Sequence, residues 1–239
     1  MTRGNVVLLP GLLCDRAVWQ AQIAALSGQY DCFVADYGGA QSLAAMAEWV
    51  LQSAPPRFSL AGHSMGGRVA LEVMRRAPER IARLALLDTG YQARPQGEAG
   101  EAESGKRHRL LDIARSQGMR VMGWEWVQGM VHPRRLRDRA LIESILTMIE
   151  RKTPDIFAAQ IRALLDRPAA EGVLRAIRCH TLVLCGGQDG WSPLARHETM
   201  AAMIAGARLT AIEDSGHMVT LEQPQAVTAE LARWLAAAH

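Results

Sequence analysis

Gly62-His63-Ser64-Met65-Gly66 sets a serine between two glycines, after the apolar run Phe58 to Ala61 and before the helix-like run Arg68 to Ala77. A strand, a sharp turn and a helix in that order make a nucleophile elbow. The glycines are there because so tight a backbone leaves no room for neighbouring Cβ atoms. A serine hydroxyl is a weak nucleophile at neutral pH, so it needs a histidine to take its proton and a carboxylate to orient and stabilise that histidine. Two later segments carry such groups, each after an apolar run: Cys185-Gly186-Gly187-Gln188-Asp189 and Glu213-Asp214-Ser215-Gly216-His217. Serine, acid and histidine in that chain order bring Asp189 and His217 to the sheet edge that carries Ser64. Asp88, ending the fourth strand, is another position for the acid and reads equally as a structural hydrogen-bond acceptor. Asp214 is also near.

The remaining histidines carry less. His63 is expected to pack under the pocket or touch substrate, while His108, His132 and His197 read as surface residues. The chain has no His-x-Glu, His-Glu-x-x-His or Cys-x-x-Cys pattern, so neither a metal nor another cofactor is indicated. Cys14, Cys32, Cys179 and Cys185 lack metal or redox spacing and read as reduced core thiols.

The elements that must position these groups are visible as short Val-, Leu- and Ile-rich runs between longer segments of helical period. Six strands are expected: Val6 to Leu9, Cys32 to Asp36, Phe58 to Ala61, Leu84 to Asp88, Thr181 to Cys185 and Arg208 to Ile212. Their alternation with helices predicts an α/β fold with a doubly wound, mainly parallel six-stranded sheet. From Tyr91 to about Arg178 the alternation stops, and helical patterns appear at Arg107 to Met122, Leu136 to Arg151 and Pro154 to Arg167. That is far more than a crossover needs. We read residues 91–178 as a helical cap inserted into a core of 1–90 and 179–239, above the carboxyl ends of the strands where open α/β sheets bind ligands. Ala93 to Gly105, with little to bury, is expected to be mobile.

Composition narrows the partners. With 49% hydrophobic and 21% charged residues and a formal charge of +3, the 239 residues describe an ordinary globular chain. Nucleic acid is a poor partner for so small a charge. The segment before the first strand is short, and that strand is too short for a signal-peptide core or a membrane span, so a cytoplasmic location is expected. Residues 91–178 hold 16 Lys+Arg against 11 Asp+Glu, and the rest 11 against 13, so the positive excess lies in the cap. This is either a solvated helical surface or a surface that steers an acidic substrate or carrier protein.

These motifs, with Leu9-Pro10-Gly11 after the first strand and Leu221-Glu222-Gln223-Pro224 after the histidine, resemble the α/β-hydrolase fold superfamily along the whole chain. The resemblance implies that Ser64 is the nucleophile, Asp189 the acid and His217 the general base. The backbone N–H groups of Leu12 and Met65 would form the oxyanion hole. A substrate pocket is expected to involve Leu12, Leu13, His63, Met65 and Trp191, with Trp124 from the cap's apolar middle. The sequence departs from the family pattern in lacking the usual first antiparallel strands, in reading Pro-Gly-Leu-Leu where many relatives have His-Gly, and in the short Asp36-Tyr37-Gly38-Gly39 loop.

What the resemblance implies is a capped serine hydrolase that cleaves a carboxylic ester through an acyl-enzyme on Ser64. A C–C bond hydrolase, a lactonase and a cofactor-free perhydrolase use the same fold, and a small-molecule receptor with a vestigial triad is a different class. The segment Ser42 to Pro55 and the basic cap resemble the pimeloyl-acyl-carrier-protein methyl ester esterase branch. The expected partner is a small ester, free or linked to a carrier protein, and the chain is expected to be a monomer or weak dimer with no nucleic-acid or membrane partner.

Overall fold

The structure, a computed structural model, describes residues 3–237. Six strands, β1 (Gly4–Leu9), β2 (Tyr30–Val34), β3 (Phe58–His63), β4 (Ile81–Leu87), β5 (His180–Gly186) and β6 (Arg208–Ile212), form one sheet. Their order is β2-β1-β3-β4-β5-β6, and every neighbouring pair is parallel. The doubly wound sheet read from the sequence is therefore present, with β4 starting at Ile81 and β2 stopping before Asp36. β3, β4 and β5 are almost wholly buried, which is what central strands covered on both faces require.

Before β4 the chain forms α1 (Gln20–Leu26), α2 (Leu43–Ser53) and α3 (Met65–Arg76). Between β4 and β5 come α4 (Gly97–Gln117), α5 (Met119–Val127), α6 (Arg139–Glu150), α7 (Pro154–Leu165) and α8 (Glu171–Ala176). After β5 follow α9 (Leu194–Met203), α10 (Val219–Glu222) and α11 (Pro224–Ala236). Helices α1 and α11 pack together on one face of the sheet, and α2, α3, α8 and α9 form a contacting row on the other. No helix among the described residues is long and apolar enough to cross a membrane.

The stretch between β4 and β5 differs from expectation in three places. The long helix begins at Gly97, not Arg107, so the Gly-, Glu- and Ala-rich segment read as mobile is largely the first turns of α4. Its Gly100 packs so closely on the Pro95 carbonyl that a Cβ would lie 2.0 Å from that oxygen. Helicity then breaks at Gly118, whose φ of 93° only glycine adopts without strain, and resumes as α5. Finally, α8 packs on α3 and α9, and Ala170 N–H donates to Tyr91 O at 2.9 Å. The excursion that leaves the sheet thus closes at Tyr91 and Ala170 and does not run to Arg178. Caps at its turns are legible: Asp138 accepts from Leu141 N–H, and Thr153, followed by Pro154 at N1, accepts from Ile156 N–H.

Candidate active site

The sheet order reverses between β1 and β3, and a crevice opens beyond the carboxyl ends of strands at such a point. Leu9 of β1 pairs with Gly62 of β3, so Pro10-Gly11-Leu12 and His63-Ser64-Met65 leave the sheet side by side. Ser64 has φ 54° and ψ −115°, a conformation few side chains tolerate. Its neighbours explain how the turn is held. A Cβ on Gly62 would lie 2.3 Å from Gly66 O, and one on Gly66 would lie 2.1 Å from Leu9 O. Ser64 N–H donates to Leu87 O at 2.9 Å, and Thr89 Oγ1 donates to Ser64 O at 2.6 Å. Both ends of the strained peptide are therefore fixed by β4 and its following loop.

Ser64 Oγ lies 2.8 Å from His217 Nε2, and His217 Nδ1 lies 2.8 Å from Asp189 Oδ2. The other Asp189 oxygen accepts from Trp191 N–H at 2.8 Å and Ser192 N–H at 2.9 Å. Burial alone would raise this carboxyl. The facing imidazole's charge and hydrogen bond, joined by the two backbone donors, bring it below the usual carboxylate range. Asp189 is thus an ionised acceptor suited to fixing the Nδ1–H tautomer, which leaves Nε2 free to accept the hydroxyl proton.

The backbone of His217 is gripped as firmly as its ring. Its N–H donates to Met130 O at 2.7 Å, and its carbonyl faces His63 Nε2 at 2.7 Å. The buried carboxyl of Glu222 accepts from Gly216 N–H at 3.0 Å and Met218 N–H at 3.1 Å. Its second oxygen accepts from His132 N–H at 2.7 Å. Glu222 therefore ties the loop around His217 to the excursion, a role the sequence reading did not assign. Its signal was a carboxylate directly after the largely apolar run Met218 to Leu221, and a buried acid there must be satisfied by hydrogen bonds.

A cavity of about 770 Å³ opens beside Ser64 and His217. Leu12, Met65, Trp126, Met130 and Leu164 give it apolar walls, and Trp191 lines it near His217. The two backbone N–H groups expected to form an oxyanion hole belong to lining residues on either side of Ser64, and Met65 opens α3, where the helix dipole favours negative charge.

Of the residues expected at the pocket, Leu13 and Trp124 lie elsewhere, and His63 takes the packed position, one of the two expected for it. Leu13 turns into the core with φ 60° and no exposed surface, and its N–H donates to Gln160 Oε1 of α7 at 2.8 Å. His63, at the end of a strand, points beneath the elbow, edge-on to Trp19. Trp124 sits on the outer side of α5, in a separate groove with Val121, Leu136, Ile142 and Leu146.

The alternatives for the acid separate clearly. Asp88 is fully buried, accepts from Gly186 N–H at 2.8 Å and stands 3.5 Å from His63 Nε2. Burial and the nearby charge of Asp189 push it well above the usual carboxylate range. Asp214 is exposed and faces Arg134. His197 is not a surface residue: it is completely buried, accepts from Thr89 N–H at 3.0 Å and is pushed down to about 4 by burial. The four cysteines are free thiols, Cys14 and Cys185 buried and Cys32 and Cys179 half-buried. Burial pushes both Cys14 and Cys185 up to about 12.

Comparison with known proteins agrees with this architecture. A model of the alpha/beta hydrolase family matches residues 6–231. The pimeloyl-acyl-carrier-protein methyl ester esterase of Aromatoleum aromaticum is 27% identical over 242 residues, covering 94% of this chain and 95% of that protein. A thermophilic esterase from Thermogutta terrifontis, solved with malate bound, superposes with a TM-score of 0.85 at 30% identity, covering 98% of this chain and 90% of the other. The enol-lactonase of Burkholderia xenovorans shares the fold, with a TM-score of 0.85 at 21% identity over 99% and 93% of the two chains. The family match over nearly the full length, joined to the sheet order and the elbow, makes this chain a member of the alpha/beta hydrolase family.

Proposed function

We propose that the protein is a serine hydrolase of carboxylic esters, with Ser64 as nucleophile, His217 as general base and Asp189 as the acid that orients it. The observation that carries the reading is the pair of 2.8 Å contacts linking Ser64 Oγ to His217 Nε2 and His217 Nδ1 to Asp189 Oδ2. His217 takes the hydroxyl proton as Ser64 Oγ attacks the ester carbonyl, and the N–H groups of Leu12 and Met65 receive the developing oxyanion. The proton then passes from His217 to the departing alkoxide, leaving an acyl group on Ser64. Water, deprotonated by His217, releases the acid and restores the serine.

In this reading α4 to α7 act as the cap, and the substrate enters between them and the strand ends. The esterase names of the Aromatoleum aromaticum and Thermogutta terrifontis proteins support ester chemistry, while a 2-hydroxymuconate semialdehyde hydrolase and an enol-lactonase among the relatives keep the rival substrates in the test. The substrate is a small ester, and linkage to a carrier protein enters as an extension of the likeness to the Aromatoleum aromaticum enzyme. Four free cysteines suit a reducing compartment, and we place the enzyme in the cytoplasm.

The test is a panel of p-nitrophenyl esters of increasing chain length, beside one lactone and one dienone substrate, run on wild type and Ser64→Ala. Ester turnover is expected in wild type and should fall by several orders of magnitude in the variant, with the fold intact by circular dichroism. A fluorophosphonate probe should label wild type alone. Probe labelling that survives Ser64→Ala, or a preference for the dienone, overturns the assignment.

A further inference from the structure

The cavity beside Ser64 carries a charge that ester cleavage does not use. Arg68, Lys106, Arg107, Arg167 and Arg196 all line it, against two carboxyls, Glu103 and Asp88. Asp88 is biased toward its neutral form, which leaves Glu103 as the counter-charge. Glu103 is already shared between Arg167 at 2.7 Å and Arg107 at 2.9 Å. Burial would raise its carboxyl, but these two cations hold it down to about 2.

Arg68 and Arg196 have no carboxylate within ion-pair distance among the described residues. Arg68 Nη1 donates to Gln92 O at 2.9 Å, and Arg196 Nη1 donates to Trp191 O at 3.0 Å and Ser192 Oγ at 3.4 Å. Both guanidinium groups flank Gly90. A Cβ built there would lie 2.8 Å from Arg68 Nη2 and 3.5 Å from Arg196 Nη1, so the missing side chain is what leaves space between them. Arg107 extends the same charge toward the chemistry, with its guanidinium carbon 5.9 Å from the centre of the Trp191 ring. That ring is itself 6.4 Å from the His217 ring. Arg68 follows Ser64 by one helical turn, about 6 Å along the axis of α3.

Like charges gathered in a half-enclosed space repel one another and lose hydration. Burial first, and then Arg167 and Arg196, push Arg68 down to about 9. An anion seated among these groups removes both penalties and gains charge-assisted hydrogen bonds. We propose that this part of the cavity is an anion subsite, and that the ester cleaved at Ser64 carries a second anionic group, a carboxylate or a phosphate, held by Arg68 and Arg196. The apolar walls take the chain between the two groups. This rests on the ester reading above for the scissile bond, whereas the subsite is defined by the cations alone.

The experiment compares kcat/KM for p-nitrophenyl hydrogen glutarate and adipate with that for their neutral methyl esters. Wild type should prefer the anionic substrate by about tenfold or more. Arg68→Met and Arg196→Met should each lower that ratio by about tenfold, and Arg68→Lys should restore part of it. In parallel, glutarate and propyl phosphate are titrated calorimetrically into Ser64→Ala and into Ser64→Ala combined with Arg68→Met. The tighter of the two identifies the anion, and its binding should weaken in the double variant. Equal kcat/KM for charged and neutral esters, with no heat from either anion, overturns the subsite and leaves the hydrolase reading standing. No turnover of any ester, with heat that depends on Arg68, overturns the ester reading and supports the subsite.

Discussion

The carbonyl oxygen of His217 lies 2.7 Å from His63 Nε2, so the residue preceding Ser64 in the elbow also holds the backbone of the histidine that faces Ser64 Oγ. Burial lowers the pKa of His63 and keeps the ring neutral, with its one proton on the nitrogen that donates. The two rings lie 5.6 Å apart and tilted. His63 thus fixes where His217 stands without touching the cavity.

Removing that donor should therefore act on turnover more than on binding. His63→Leu leaves a buried carbonyl unsatisfied, a change worth about 1–3 kcal/mol, and should lower kcat about ten- to a hundredfold with KM nearly constant. His63→Gln, which offers an amide N–H at a similar reach, should recover much of the loss. Steady-state kinetics of both variants, read beside their melting temperatures, check this. A fall in stability with unchanged kcat would assign His63 to packing alone.

Much of this arrangement is legible in the sequence, and its gaps have physical causes. The strands are visible because central parallel strands must be apolar on both faces, as Leu84 to Leu87 and Leu182 to Leu184 are. The positions of Ser64, Asp189 and His217 follow from chain order, since each ends or follows a neighbouring strand of one parallel sheet. The directions of Trp124 and Leu13 are not legible in the sequence, because side-chain direction depends on backbone turns that composition does not encode. A left-handed Leu13 sends the side chain inward, and the break at Gly118 resets the helical phase before Trp124. His197 looked like a surface residue because its partner is the backbone N–H of Thr89, which leaves no sequence pattern. The cationic cavity is half visible: residues 91–178 carry an excess of positive charge, but Arg68 and Arg196 lie outside that segment and only folding brings them to the same wall.

Asp189 and Asp88 should respond oppositely to the same substitution. Asp189→Asn keeps the shape but favours the wrong tautomer of His217, and should cost about 10³ to 10⁴ in kcat. Asp88 bonds to Gly186 N–H and not to His217 Nδ1, and its carboxyl is already biased toward the neutral form. Asp88→Asn should then hold kcat within about tenfold and change mainly the denaturation midpoint. Kinetics and urea melts of the two proteins separate the roles, and the reverse pattern would reassign the acid.

His197 should make the fold sensitive to mild acid. Its ring is fully buried and accepts from Thr89 N–H through Nε2, so the folded protein holds it neutral and its pKa falls from 6.5 to about 4. The unfolded chain binds a proton there more readily. The stability contributed by the neutral ring is complete above the unfolded pKa, near 6.5, and drains away as pH falls toward 4, where the folded form also titrates. The shift corresponds to a loss on the order of 3 kcal/mol across that window. Thr89 also donates to Ser64 O, so protonating His197 should loosen the elbow before the whole sheet opens. Urea denaturation of wild type and His197→Gln between pH 4 and pH 7 tests this. Wild type should lose stability over the window, and the variant, though weaker at pH 7, should show a flatter acid limb. Parallel profiles for the two proteins would show that other groups govern the acid sensitivity.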